Sequence, residues 1–202
     1  MAKPKPDKKV VEQEAIDIVA HASQVQGIMD CIVNQLRVRA KHHDLSRLSD
    51  EELPYFAQAT KLKSLPYGSK KYNDQLAIGS ALRPALKHHY EHNRHHPEFH
   101  AAGIPGMNIV DIVEMLSDWL AAGMRHGPGH NIFHSINVNR MRFKIKKDLA
   151  QIMWNTAIDV FGEEPIEGEE LSIIHRCGDC DHWQDTSYSH CQECRSMCLI
   201  EI

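Results

Sequence analysis

The sequence predicts an all-α main domain with a small cysteine-rich module at its C-terminal end. Three observations predict it. Apolar residues recur at helical spacing through most of residues 1–160. No run in that stretch shows the alternating, β-branched pattern of a strand. Five of the six cysteines fall within the last 26 residues, behind an acidic linker.

The elements follow in order. Residues 1–9 are charged and broken by Pro4 and Pro6, and read as a disordered arm. From Val10 to Ala40, Ile18, Val25, Ile28, Met29, Ile32 and Leu36 keep helical spacing without a proline, giving one long helix or two joined at Gly27. Ser49 followed by Glu52 has the form of a capping box for a short helix near 50–60. Pro66-Tyr67-Gly68-Ser69 is a turn, and 74–95 a helix that Pro84 kinks or divides. Pro97 and Gly103-Ile104-Pro105-Gly106 form a loop. A helix over 108–123 follows, capped by Asn108 or Asp111. After a loop at Gly127-Pro128-Gly129, helices near 130–141 and 145–161 close a domain spanning 10–162. Residues 163–170 are the acidic linker and 171–202 the tail. There is no internal repeat.

Composition bounds the function. The chain has 202 residues, 42% hydrophobic and 25% charged, enough for one core plus an appendage. A net charge of −4 argues against nucleic acid or an anionic membrane as the partner. The charged N-terminus is not a secretory signal, and no apolar run reaches the length of a membrane span. The expected compartment is the cytoplasm, where thiols stay reduced. Fifteen histidines are the anomaly, and histidine is the commonest metal ligand.

The histidines and acids cluster in a few segments. On the helix over 108–123, Asp111, Glu114 and Asp118 are spaced i, i+3, i+7 and share one stripe. The rest of that helix is apolar nearly all round, so the stripe should be buried. Three like charges there repel and lose hydration, which a cation would relieve. The alternative is a stripe facing water or paired with arginines. His43-Asp44 offers a nitrogen and an oxygen donor at a helix end. In the segment 87–98, His88, His92 and His95 share one helical face, and His89, His92 and His96 an overlapping one. His21 lies on the apolar face of the first helix, where a lone histidine is ordinarily a hydrogen-bonded core residue.

The order His, His-Asp, histidine cluster, helical Asp resembles the HD superfamily of metal-dependent phosphohydrolases. The resemblance implies an HD-domain-like helical bundle binding one or two divalent metals, with Fe, Mn or Zn suited to such ligands. It implies His21, His43, Asp44 and Asp118 as ligands of a first metal, with Asp111 and Glu114 as alternatives to Asp118. His89 and either His95 or His96 would join a second. The strings His43-Asp44-Leu45-Ser46, His88-His89-Tyr90 with Asn93-Arg94-His95-His96-Pro97-Glu98, and Glu114-Met115-Leu116-Ser117-Asp118-Trp119 are also similar to an uncharacterised family of phages and bacteria, over roughly 12–160. That family's first motif ends in Ser-Lys, and Ser46-Arg47 departs from it while keeping the charge. Asp44 with Arg47, Asn93 and Arg94 are the candidate catalytic and phosphate-contacting residues, Lys87 and Arg125 weaker ones. The implied reaction is hydrolysis of a small phosphorylated substrate, a nucleotide above all. A non-enzymatic, metal-stabilised interaction protein and an HD-type di-iron oxygenase are the alternatives.

In the tail, Cys177-Gly178-Asp179-Cys180 and Cys191-Gln192-Glu193-Cys194 are two Cys-x-x-Cys knuckles ten residues apart. This spacing predicts a tetrahedral structural zinc, since so short a segment cannot fold on apolar burial. His190 or Cys198 could replace one ligand, and His175 and His182 are bystanders. The near-balanced charge suits a protein partner rather than nucleic acid.

Overall fold

The computed structural model describes residues 7–58, 70–71, 82–125, 131–185 and 190–201. The expected turn at 66–69, the first part of the helix at 74–95 and the loop at Gly127-Pro128-Gly129 lie outside them. The chain forms two compact units, Met1–His43 and Asp44–Ile202, and the division falls within the His43-Asp44 pair.

The first unit is helix α1, Lys8–His42, unbroken through Gly27. It starts two residues before the expected Val10 because Asp7 caps it, its carboxylate accepting from the Lys9 N–H at 2.8 Å. Arg39, Lys41 and His42 occupy its last turn, where cations suit the helix dipole.

The second unit begins with a 3-10 turn, Leu45–Leu48, and a short helix α2, Leu53–Gln58. Helix α3, Leu82–His92, follows, with Pro84 in the first described turn, where it interrupts nothing. Two 3-10 turns, Pro97–Phe99 and Ile104–Gly106, lead to α4, Ile109–Arg125. Of the two capping candidates, Asn108 serves: its side-chain oxygen accepts from Val110 N and Asp111 N at 2.9 and 3.1 Å. Helices α5, Ile132–Phe143, and α6, Lys147–Asp159, complete the bundle. Asn131 caps α5 by accepting from His134 N at 2.7 Å.

The core lies among α4, α5 and α6. Met115, Leu116, Phe133, Ile136, Met153 and Trp154 are buried in one cluster, with the Phe133 and Trp154 rings 4.6 Å apart. Arg140, wholly buried on α5, donates to the carbonyls of Ile145 and Ser172, tying the helix end to the start of the tail. The tail is a three-stranded antiparallel sheet in the order β2-β1-β3, with β1 Ile174–Cys177, β2 Trp183–Asp185 and β3 Leu199–Glu201. The fold is thus an all-α bundle with a small C-terminal β element bearing the cysteines.

Candidate metal centres

The Cys-x-x-Cys segments fold into two matching turns. Asp181 N donates to Cys177 O and Arg195 N to Cys191 O, both at 3.0 Å. Asp181 and Arg195, each following the second cysteine of its pair, both take positive φ, 61° and 64°. Asp179 N and Cys194 N approach Cys177 Sγ and Cys191 Sγ at 3.4 and 3.5 Å. Buried Gln184 pins the second turn, donating to His190 O and accepting from Gln192 N. The sulfurs of Cys177, Cys180, Cys191 and Cys194 lie within 4.8 Å of one another, and all four cysteines are free thiols. Cys177 and Cys194 are 3.6 Å apart, Cys180 and Cys191 3.5 Å. A tetrahedron with Zn–S bonds of about 2.3 Å has edges of about 3.8 Å, so the set fits zinc.

Proton affinities at Cys177 and Cys180 also report the crowding. Burial would raise the pKa of Cys177, but the N–H groups of Cys180 and Asp179 and the Cys194 thiol bring it down to about 7. Cys180 feels the His182 N–H, which lowers it, yet its contacts with the other three sulfurs push it up to about 12. His190 and Cys198 stand aside: His190 Nε2 meets Arg195 at 3.2 Å, and the Cys198 carbonyl accepts from Gly178 N. A Cβ on Gly178 would sit 2.6 Å from Cys198 Sγ, so any larger residue there would have to displace the Cys198 thiol.

The second set lies in the helical part of the second unit. Ligand atoms of Asp44, His89, His95 and His96 fall within 4.8 Å of one another. Asp44 takes φ 56°, a left-handed turn that Asp tolerates, immediately before the 3-10 turn. Its Oδ1 lies 3.3 Å from His89 Nε2 and 3.5 Å from His95 Nε2, while Arg47 holds Oδ2 at 3.3 Å. His89 is buried on α3. His95 and His96 are not on its faces, as the expected helix over 74–95 would have them. The helix ends at His92, and the chain turns back through Asn93–His96 to set His96 Nε2 2.9 Å from His89 Nε2. His88 and His92 stay on the helix and stack outside, 3.9 Å apart.

Two of the three rings, His89 and His95, are oriented from behind. Glu52, fully buried, accepts from His89 Nδ1 at 2.9 Å and from His88 Nδ1 at 2.8 Å. Glu114 Oε1 lies 3.3 Å from His95 Nδ1. A carboxylate on Nδ1 fixes the tautomer that offers Nε2 as a donor to a metal. Glu52 is therefore no capping-box partner of Ser49, and sequence reading missed its role. Burial alone would raise its pKa, but bonds with His88 and Ser46 and the nearby His89 hold it below the carboxylate range. Burial pushes His89 below its ordinary value, although Asp44 and Glu52 pull the other way. Burial, then the neighbouring His95 and His89, push His96 down to about 2. Both rings are neutral at pH 7, the form that binds metal. Three imidazoles and a carboxylate fit Fe, Mn or Zn.

The three carboxylates of the acidic stripe take separate roles. Asp111, with no exposure, is gripped by Arg94 at 3.2 and 3.0 Å, so the Arg94 fork is spent on α4. Glu114 serves His95. Asp118 Oδ2 lies 4.0 Å from His95 Nε2. Asn93 donates to Ser46 Oγ and His89 O at 2.7 Å each, bracing the site. His21 is exposed on α1, and His43 is the C-cap of that helix. Lys87 pairs with Glu91 at the surface, and Arg125 is exposed at the end of α4. Beside the centre is an open cleft of about 610 Å³, lined by His96 and Asp118 on one side and by Tyr90, Trp119, Arg142 and Phe143.

A family model described as a family of unknown function (DUF5662) matches residues 11–159. The chain belongs to this family. The match runs from α1 to the end of α6 and stops before the cysteine tail. No curated protein and no solved structure matches the chain. The family's all-α domain here carries a His/Asp cluster consistent with a broad HD-like metal-binding motif. None of the described helices is long and apolar enough to cross a membrane.

Proposed function

We propose that the helical part of the second unit is a metal-dependent phosphohydrolase acting on a phosphate ester of the nucleotide class. The observation that carries this reading is where the ligand cluster sits. His96 belongs both to the cluster and to the wall of the 610 Å³ cleft, as does neighbouring Asp118 to the wall. Structural metal sites are closed by protein ligands, whereas catalytic ones keep an open side.

Asp44, His89, His95 and His96 would hold a divalent ion, with Asp118 as a further ligand of one or two metals. The ion would polarise a phosphoryl group and ease attack by water. The chain's own residues do the rest. Glu52 and Glu114 keep the imidazoles in the binding tautomer, and Arg47 fixes which carboxylate oxygen of Asp44 turns inward. Arg142, held by Glu98 at 2.7 Å, offers a guanidinium to a substrate anion from the cleft wall. Trp119 and Phe143, stacked 6.3 Å apart at 9°, offer a flat apolar surface to a base.

The tail would hold a structural zinc on Cys177, Cys180, Cys191 and Cys194 and present a surface to a protein partner. Four free thiols suit a reducing compartment such as the cytoplasm.

The test is metal analysis of the purified chain with phosphate release across a nucleotide panel, alongside Asp44→Asn and His96→Ala. Asn tolerates the left-handed turn, so Asp44→Asn removes charge without straining the backbone. Turnover that survives both substitutions sinks the reading. Oxygen uptake without phosphate release would point to a di-iron oxygenase, and bound metal without turnover to an interaction protein.

A further inference from the structure

Helix α1 has a pattern that the metal chemistry does not use. Val11, Ile18, Val25 and Ile32 recur every seventh residue. Ala15, Ala22, Met29 and Leu36 interleave with them at the alternating 4-3 spacing of a coiled-coil seam. Lys8 and Arg39 close the seam at its ends, and Val19, Ile28 and Val33 widen it. None of the 35 residues of α1 is buried, and Ile18 and Met29 are 59% and 60% exposed. An isolated helix has no core of its own, so such a stripe calls for a partner.

The seam is complementary to itself. Two copies running antiparallel, aligned so that paired residue numbers sum to 47, bring large residues against small ones. Ala15 meets the partner's Ile32, Ala22 meets the partner's Val25, and the remaining layers pair Val11 with Leu36 and Ile18 with Met29. No layer sets alanine on alanine. A parallel pair would instead stack Ala15 on Ala15 and Ala22 on Ala22, leaving two hollow layers. Charge favours the same choice. Residues 8–24 carry Glu12, Glu14 and Asp17 against Lys8 and Lys9, and residues 25–42 carry Arg37, Arg39 and Lys41 against Asp30. Antiparallel pairing sets the net acidic half over the net basic half, with Lys8 meeting the partner's Arg39 only at the open ends, and parallel pairing superposes like halves. The area suffices too. Each aliphatic side chain of the stripe offers roughly 60–120 Å². Together they reach the region of about 800 Å² per partner that a stable interface buries.

We infer that α1 docks antiparallel on α1 of a second copy of this chain. This is independent of the phosphohydrolase reading. The test is the solution mass of the full chain, by light scattering and sedimentation across a concentration series. The expected mass is twice the 23.1 kDa of one chain. Ile18→Asp, which faces a carboxylate onto Met29, should weaken association on the order of a hundredfold. The outward Asp17→Lys should leave the dimer in place. Ala15→Ile should weaken the dimer by overpacking against Ile32, and adding Ile32→Ala should restore it. Amide-exchange protection of α4–α6 in each variant shows that the core of the second unit is intact. A wild-type chain that stays at 23.1 kDa at every concentration overturns the inference. A tighter dimer from Ala15→Ile overturns the antiparallel register.

Discussion

Glu52→Gln tests the helical metal centre most directly, because it keeps shape and removes one acceptor and the charge. Glu52 accepts two imidazole N–H groups at once, His88 at 2.8 Å and His89 at 2.9 Å, with no exposure of its own. Glutamine can accept only one of them, since its other terminus is an NH2. If that NH2 faces His89, Nδ1 must accept, the proton moves to Nε2, and the nitrogen aimed at the cluster no longer binds metal. If the amide flips, the mismatch falls on His88, whose side chain is 28% exposed and can turn to water. The flipped arrangement wins, and what remains is the lost negative charge behind His89. Loss of such an outer partner costs roughly 10–100-fold in metal affinity, about 1.4–2.8 kcal/mol. Glu52→Gln should sit at the tenfold end. Glu52→Ala should sit at the hundredfold end and also lose about 1–3 kcal/mol of fold stability from the buried N–H left without an acceptor. The assay is competition against a calibrated chelator with the tail site already loaded, paired with denaturant unfolding of the apo chain. Wild-type affinity in both variants would refute the reasoning.

Three further outcomes are expected. Chelation of the full chain, or Cys191→Ser, should strip amide-exchange protection from β1–β3 while α4–α6 keep theirs. Protection that persists in the tail would mean that its fold does not depend on metal. The apo helical domain should lose stability in acid: His96 titrates near 2 when folded and near 6.5 when unfolded, so the unfolded state takes up its proton first as pH falls. The loss begins below about pH 6.5 and reaches about 2 kcal/mol from His96 at pH 5, read from urea midpoints; a flat profile from pH 7 to 5 would contradict it. Asp111→Asn should cost about 2–3 kcal/mol, less than a fully buried pair because Arg94 is half exposed, with metal content unchanged. A parallel loss of metal would return Asp111 to the ligand set.

The helices were legible because their signals are local. A proline-free run kept α1 whole, and Asn108 and Asp111 marked the start of α4, though not which of them caps it. The tail was legible for the same reason, four thiols within 18 residues leaving few alternatives. Asp44, His89, His95 and His96 were all among the candidates read from the sequence, but their grouping and geometry were not legible. Helical-face arithmetic carried past His92 placed His95 and His96 on α3, where the chain in fact leaves the helix. Glu52 was misread through competition. Ser49-x-x-Glu52 is a sound capping signature worth about 1 kcal/mol. A buried carboxylate between two imidazole donors outweighs it, and those donors stand 36 and 37 residues downstream, beyond any local pattern.

The acidic stripe on α4 shows how far an electrostatic argument can run from sequence. Three carboxylates at i, i+3 and i+7 on a buried face require compensation, and Arg94 supplies it to Asp111 as a cation. The sequence argument drew one cation from the requirement, but proximity along a helix does not make charges share a partner. Asp111 and Asp118 are two turns apart, about 10 Å along the axis, which is enough for separate environments. Arg94 neutralises the first, His95 engages the second, and the third reaches the cleft wall beside His96. The stripe therefore behaves as a graded series, from an ion pair that anchors α4, through an outer partner that orients a ligand, to a carboxylate at the candidate centre itself. Only Asp118 keeps a place next to both the cluster and the cleft, so a substitution there should change metal loading or turnover at a lower cost in stability than one at Asp111.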